Sequence, residues 1–145
     1  MEIELNKKNT INNISSQECF EKLSKETNSQ LIDVRTKPEW VYVGVPDLSS
    51  INKKVIFVSW QIYPKMETNK FFENQILELD VKKDNNLYFI CRSGQRSYNA
   101  ADLLFSRGFS NCFNVNDGFE GKQNHKSHRA SMHGWKFNNL PWKQG

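Results

Sequence analysis

Seven consecutive residues, Cys91-Arg92-Ser93-Gly94-Gln95-Arg96-Ser97, carry the ingredients of thiolate chemistry. A cysteine nucleophile must ionise, and it does so readily near a helix N-terminus, beside cations or among converging backbone N–H donors. This segment can offer all three. Gly94 can take up backbone conformations closed to other residues, so N–H groups from Arg92 to Ser97 can curl toward one point and form an anion nest at a helix start. Arg92 and Arg96 add side-chain charge that favours small dianionic substrates. The plainer reading is a buried core cysteine followed by a glycine that only turns the chain. Strand, cysteine, glycine loop and helix in succession favour the nucleophile.

The elements around the loop must aim it. Leu87-Tyr88-Phe89-Ile90 is an apolar run that ends at Cys91 and predicts a buried strand. Tyr98, Ala101, Leu104 and Phe105 share a helical face that Gly108 terminates. Upstream, Ser15-Ser16-Gln17-Glu18 has capping-box form and predicts a helix over Ser16–Lys25. Gln30-Leu31-Ile32-Asp33-Val34-Arg35 predicts a second buried strand that emerges on charge. Thr36-Lys37-Pro38-Glu39 opens a short helix to about Tyr42, stopped by Gly44 and Pro46. Residues 54–59 read as a strand, Phe72, Ile76 and Leu79 as a helical face, and residues 111–115 as a further strand. Strands alternating with helices at this spacing predict an α/β domain with a mainly parallel sheet of four or five strands and helices on both faces. In such sheets the site lies at the strands' carboxyl ends.

Length and charge narrow the classes. A chain of 145 residues suits one compact domain. The longest apolar block, Val55-Ile56-Phe57-Val58, falls far short of the roughly 18–20 residues a membrane span needs, and the acidic start is no signal peptide. A soluble, cytoplasmic protein is the expectation. Cys19, Cys91 and Cys112 are odd in number and contain no Cys-x-x-Cys pair, which argues for free thiols in a reducing compartment. Residues 1–118 hold 15 basic and 15 acidic side chains, whereas residues 119–145 hold 5 basic and 1 acidic, so the whole formal excess of +4 sits in the tail. That tail also carries Trp135, Phe137, Leu140 and Trp142, too much apolar surface for a free disordered arm.

The loop resembles the active-site loop of single-domain rhodanese sulfurtransferases. The likeness extends to Asp33-Val34-Arg35, which matches the family's Asp-x-Arg strand end, and to Pro38-Glu39-Trp40, which matches its Pro-Glu-aromatic helix start. It covers residues 16–121 and leaves an N-terminal segment, 1–15, and a basic, tryptophan-containing extension, 122–145, packed on the domain. Two departures stand out: Gly44-Val45-Pro46-Asp47-Leu48 replaces the family's His-Ile-Pro-Gly-Ala turn, and the tail exceeds a minimal domain. The resemblance implies a rhodanese-like fold and a sulfurtransferase without metal or organic cofactor. Cys91 would take a sulfane sulfur from a small anionic donor such as thiosulfate. It would then pass that sulfur from its persulfide to cyanide, a thiol or an acceptor protein. Arg92, Ser93, Gly94, Gln95, Arg96 and Ser97 would form the anion-binding loop. Asp33 and Arg35 would support it, Asp33 by bonding the loop backbone and Arg35 by pairing with an acidic neighbour.

Other functions fit these residues less well. Phosphatases and arsenate reductases of similar fold place an arginine six residues after the cysteine, where this chain has Ser97; Arg96 comes one residue early. A non-catalytic interaction module would not need the cysteine and its glycine loop, whereas a redox-sensing module that uses the thiol stays open as an alternative. His125, His128 and His133 lack the further ligands of a metal site. Lys122, Lys126, Arg129, Lys136 and Lys143 beside two tryptophans suit a solvated tail anchored on the core better than a nucleic-acid surface. Cys19 and Cys112 read as small buried hydrophobes, with Cys112 a resolving thiol only if it lies near Cys91.

Overall fold

The computed structural model describes residues 11–129 and 132–144. Strand β1 (Asn12–Ile14) leads into α1 (Ser16–Lys25), β2 (Ser29–Asp33), α2 (Lys37–Tyr42) and β3 (Val45–Pro46). After a short 3₁₀ turn come β4 (Ile56–Phe57), β5 (Gln61–Ile62), β6 (Glu67–Thr68) and α3 (Phe72–Glu78). The chain continues through β7 (Asn86–Ile90), α4 (Gln95–Ser106), β8 (Cys112–Val115) and β9 (Trp142–Lys143). Five strands make one parallel sheet in the order β1-β8-β7-β2-β4.

β7 lies at the centre of that sheet, and Leu87, Tyr88, Phe89 and Ile90 are buried without alternation because both faces are covered. On one face Ile32, Val34 and Phe89 pack against Phe72 and Ile76 of α3 and Ala100, Ala101 and Leu104 of α4. On the other, Leu31, Tyr88, Ile90 and Val115 meet Cys19 and Leu23 of α1 together with Phe119 and Trp135. α1 begins where its capping pattern places it, with the Ser15 hydroxyl accepting from the Glu18 N–H.

Several elements differ from the sequence reading. Residues 12–14 pair with β8, so a boundary at residue 16 would cut through the sheet. The strand expected over residues 54–59 keeps regular ladder pairing only at Ile56 and Phe57, with further backbone bonds from Val58 to Asp33 and from Trp60 to Val34 before the β5–β6 hairpin. Leu79 sits at the C-cap of α3 and is exposed, since the helix ends one residue before it could face inward. No membrane-length apolar helix occurs among the described residues.

The tail returns to the domain along its own path. Trp135 is fully buried, meets the Phe20 ring edge-on at 5.8 Å and donates its indole N–H to the Pro141 carbonyl at 2.7 Å. β9 then pairs antiparallel with β3, setting Trp142 opposite Pro46. Replacing Trp135 by alanine should cost about 3–5 kcal/mol of stability, as emptying a large aromatic site usually does. Urea unfolding would measure it, and a loss below about 1 kcal/mol would mean that the tail is not part of the core.

Candidate active site

Cys91 directly follows β7, and its thiol is buried. The Gly94 N–H donates to Sγ at 3.2 Å, which requires Gly94 to hold φ +109° as the residue before α4. A Cβ at Gly94 would stand 2.5 Å from the Asn116 carbonyl oxygen, so space and backbone angle both demand glycine. The sequence suggested a ring of amides from Arg92 to Ser97 around the sulfur. Among the described residues, Gly94 supplies the one N–H within bonding distance, and a side chain supplies the second contact.

That side chain is Ser97, fully buried on the first turn of α4 with Oγ 3.2 Å from Sγ. Its hydroxyl is also 2.5 Å from Oδ1 of Asn114, a β8 residue that the sequence reading passed over. Asn114 Nδ2 donates to the Gly94 carbonyl at 3.1 Å and to Asn13 Oδ1 at 2.9 Å. The Gly94 carbonyl can only accept, so the amide is locked with its oxygen toward Ser97. The single Ser97 proton serves one neighbour at a time. Asn114 Oδ1 and the sulfur therefore compete for that proton.

Both loop arginines are engaged. Arg96 grips Glu39 of α2 with two bonds, Nη1 to Oε1 at 2.7 Å and Nη2 to Oε2 at 2.9 Å. The same carboxylate accepts the Thr36 N–H and hydroxyl that cap α2. Burial pushes the Glu39 carboxyl up, but the bonds from Arg96 and Thr36 outweigh that and hold it down at about 2. Arg92, about half exposed, stands 3.4 Å from Glu120. A cavity of about 320 Å³ opens over the sulfur, lined by Glu39, Met66, Cys91, Arg92, Ser93, Gln95 and Arg96. The sequence signal for Glu39 as a wall of this cavity was hidden by its capping pattern, which explains the residue equally well.

Arg35 pairs with an acidic neighbour as expected, and that neighbour is Asp33, which thereby loses the loop contact the sequence suggested for it. The Asp33 carboxylate accepts the Arg35 backbone N–H, Nε and Nη2, the last at 2.7 Å, and both side chains are fully buried. Among the described residues Asp33 makes no side-chain bond to the Cys91 loop, because Arg35 saturates it. Arg35 also donates from Nη2 to the Gly44 carbonyl and stacks 4.3 Å from the Phe119 ring centroid. Cys112 pairs in register with Leu87, four residues before Cys91, which separates the two by about 13 Å of strand rise. Burial pushes its thiol up to about 12, and burial raises Cys19 as well, so both remain protonated packing residues. The described residues contain no cluster of three or more His, Cys, Asp or Glu in metal-holding arrangement.

Comparison with known proteins gives this geometry a context. A family profile described as the STR4 middle domain matches residues 11–145. Uncharacterized protein RC0915 of Rickettsia conorii is 42% identical over 135 residues, spanning 92% of this chain and 98% of that protein. Rhodanese-like domain-containing protein 4, chloroplastic, of Arabidopsis thaliana is 26% identical over 128 residues, which are 88% of this chain and 25% of that much longer protein. The crystal structure of Rv0390 from M. tuberculosis aligns with a TM-score of 0.84 and 36% identity over 94% of this chain and 99% of that one.

Two outcomes follow from the site's geometry. Gly94→Ala should lose about 1–3 kcal/mol in urea unfolding, because left-handed strain adds to the displacement of the Asn116 carbonyl; a loss under 0.5 kcal/mol, within the ~0.5 kcal/mol typical of an indifferent surface position, would mean the loop has another conformation. The Glu39 carboxyl is depressed from 4.5 to about 2, so its stabilising contribution is complete above pH 4.5 and disappears as the pH falls through 2. The stability gap between the wild type and Glu39→Gln should therefore narrow steadily over that window, and a gap independent of pH would contradict the ion pair.

Proposed function

Because the chain belongs to the rhodanese-like family, we propose that it is a sulfurtransferase that carries sulfane sulfur as a persulfide on Cys91. The observation that carries this reading is the Gly94 N–H and the Ser97 hydroxyl meeting at the Cys91 sulfur on the floor of an open cavity. A packing cysteine has no use for two donors and an opening to solvent. Cys112 offers the contrast, since its thiol donates to the Phe109 carbonyl instead of gathering donors around it.

In the half-reaction, the Cys91 thiolate attacks the outer sulfur of a small anionic donor. With thiosulfate, a new S–S bond forms, the donor's S–S bond breaks and sulfite leaves with the bonding pair. The charge passes to the outer sulfur of the persulfide, while the Ser97 proton and the Gly94 N–H stabilise Sγ as the thiolate before attack and again when it is released. Attack by cyanide, a thiol or an acceptor protein on the outer sulfur returns the Cys91 thiolate. The chemistry proceeds without metal or organic cofactor, and a reducing, cytoplasmic setting suits three free thiols. Ser97 in place of an arginine six residues after Cys91 counts against an oxyanion-ester hydrolase, since a buried hydroxyl bonded to Asn114 cannot grip a phosphate.

Intact-mass measurement after incubation with thiosulfate tests this reading. The wild type should gain about 32 Da, one sulfur, which cyanide removes, while Cys91→Ser should remain unmodified and folded. A gain on the variant, or none on the wild type with thiosulfate or methanethiosulfonate as donor, would refute the Cys91 persulfide.

A further inference from the structure

The charge around the Cys91 cavity is smaller than two loop arginines would suggest. The lining holds two cations, Arg92 and Arg96, and one anion, Glu39. Glu39 takes both terminal nitrogens of Arg96, leaving that guanidinium one free face, and Glu120 draws on Arg92 from the rim. Beneath the loop Asp33 and Arg35 cancel each other. Before a donor arrives, the cavity wall therefore sums to one positive charge, and the Cys91 thiolate removes even that. A dianion entering such a site meets no uncompensated cation. The sequence alone had pointed to dianionic substrates.

We propose that Glu39 is a specificity-determining residue that, by neutralising Arg96 at the cavity wall, selects singly charged or neutral sulfane donors over dianionic ones. The substrate class is then a thiosulfonate or hydropersulfide rather than thiosulfate. This rests on the sulfurtransferase reading and narrows it. For a thiosulfonate the step is balanced as for thiosulfate. The thiolate bonds to the outer sulfur, the donor S–S bond breaks, and a sulfinate leaves with the electron pair, so that the two negative charges entering equal the two leaving. For a protonated hydropersulfide, the thiolate of the donor leaves and the proton stays on the transferred sulfur. Glu39 is well placed to act by charge alone. Its side chain is about four-fifths buried, and its geometry is fixed by Thr36 as well as by Arg96.

Thiosulfate and methanethiosulfonate form a matched pair of probes, similar in shape and chemistry but differing by one unit of charge. Their kcat/KM values should be compared in the wild type and in Glu39→Gln, which keeps a hydrogen-bonding side chain in place. Removing one negative charge from the cavity wall should raise the thiosulfate-to-methanethiosulfonate ratio about ten-fold. A purely structural role would lower both donors together and leave the ratio unchanged, which would overturn the proposal. Ionic strength offers a second measurement on the wild type alone. The two donors should share one shallow salt dependence, whereas a steep fall for thiosulfate only would reveal an uncompensated cationic site and also overturn it. If neither donor places sulfur on Cys91 of the wild type, the sulfurtransferase reading fails and this inference falls with it. Sulfur transfer with an unmoved ratio refutes the inference alone.

Discussion

A buried ion pair between neighbours two residues apart organises the carboxyl edge of the sheet. Asp33 and Arg35 are fully desolvated, and such a pair persists only where further bonds satisfy it, since removing one partner commonly costs about 3–5 kcal/mol. Arg35 finds those bonds in three directions. It reaches the Gly44 carbonyl before β3, the face of Phe119 after β8, and, through its own carbonyl, the Ser59 hydroxyl beyond β4. Phe119 in turn donates its N–H to the Cys91 carbonyl at 2.8 Å. The pair thus fixes the platform on which the cysteine loop rests, without touching the sulfur.

The loop itself is held from behind by β8 and the turn that follows. Asn114 binds the Gly94 carbonyl, Asn116 leaves no room for a Cβ at Gly94, and the N–H groups of Glu120 and Gly121 both donate to the Arg92 carbonyl. Each of these contacts joins residues some twenty or more positions apart. The sulfur's surroundings are consequently a property of the assembled sheet, and the seven-residue motif is only the part that faces the cavity. Precise placement of this kind is what allows a few weak donors to matter at a buried sulfur.

Local signals made much of this legible. The cap of α1, the proline and glutamate opening α2, and the unbroken apolar run of β7 each depend on neighbours within a turn, and the chain follows them. Cys91 was visible as a candidate because strand, glycine and helix follow one another in sequence. What stayed hidden depends on distant partners. Nothing near Glu39 announces Arg96, 57 residues later, and its capping role accounts for it fully. Asn114 looks like any strand asparagine until the Gly94 carbonyl fixes its amide. The β5–β6 hairpin and the β1 edge strand are too short to leave a periodic pattern.

The pairing of β9 with β3 also bears on how the chain is made. Val45 and Pro46 emerge from a ribosome almost a hundred residues ahead of Trp142 and Lys143, and at roughly 5–20 residues per second that interval lasts several seconds or more. In its later part, between the synthesis of Ser97 and that of Trp135, the cysteine loop is complete while the apolar face awaiting Trp135 lies bare. A free thiol on an unfinished surface invites off-pathway disulfides and aggregation. The nascent chain therefore has a vulnerable stage that ends only when the tail docks, and the burden of protecting it falls on the cell's chaperones and reducing systems rather than on the finished fold.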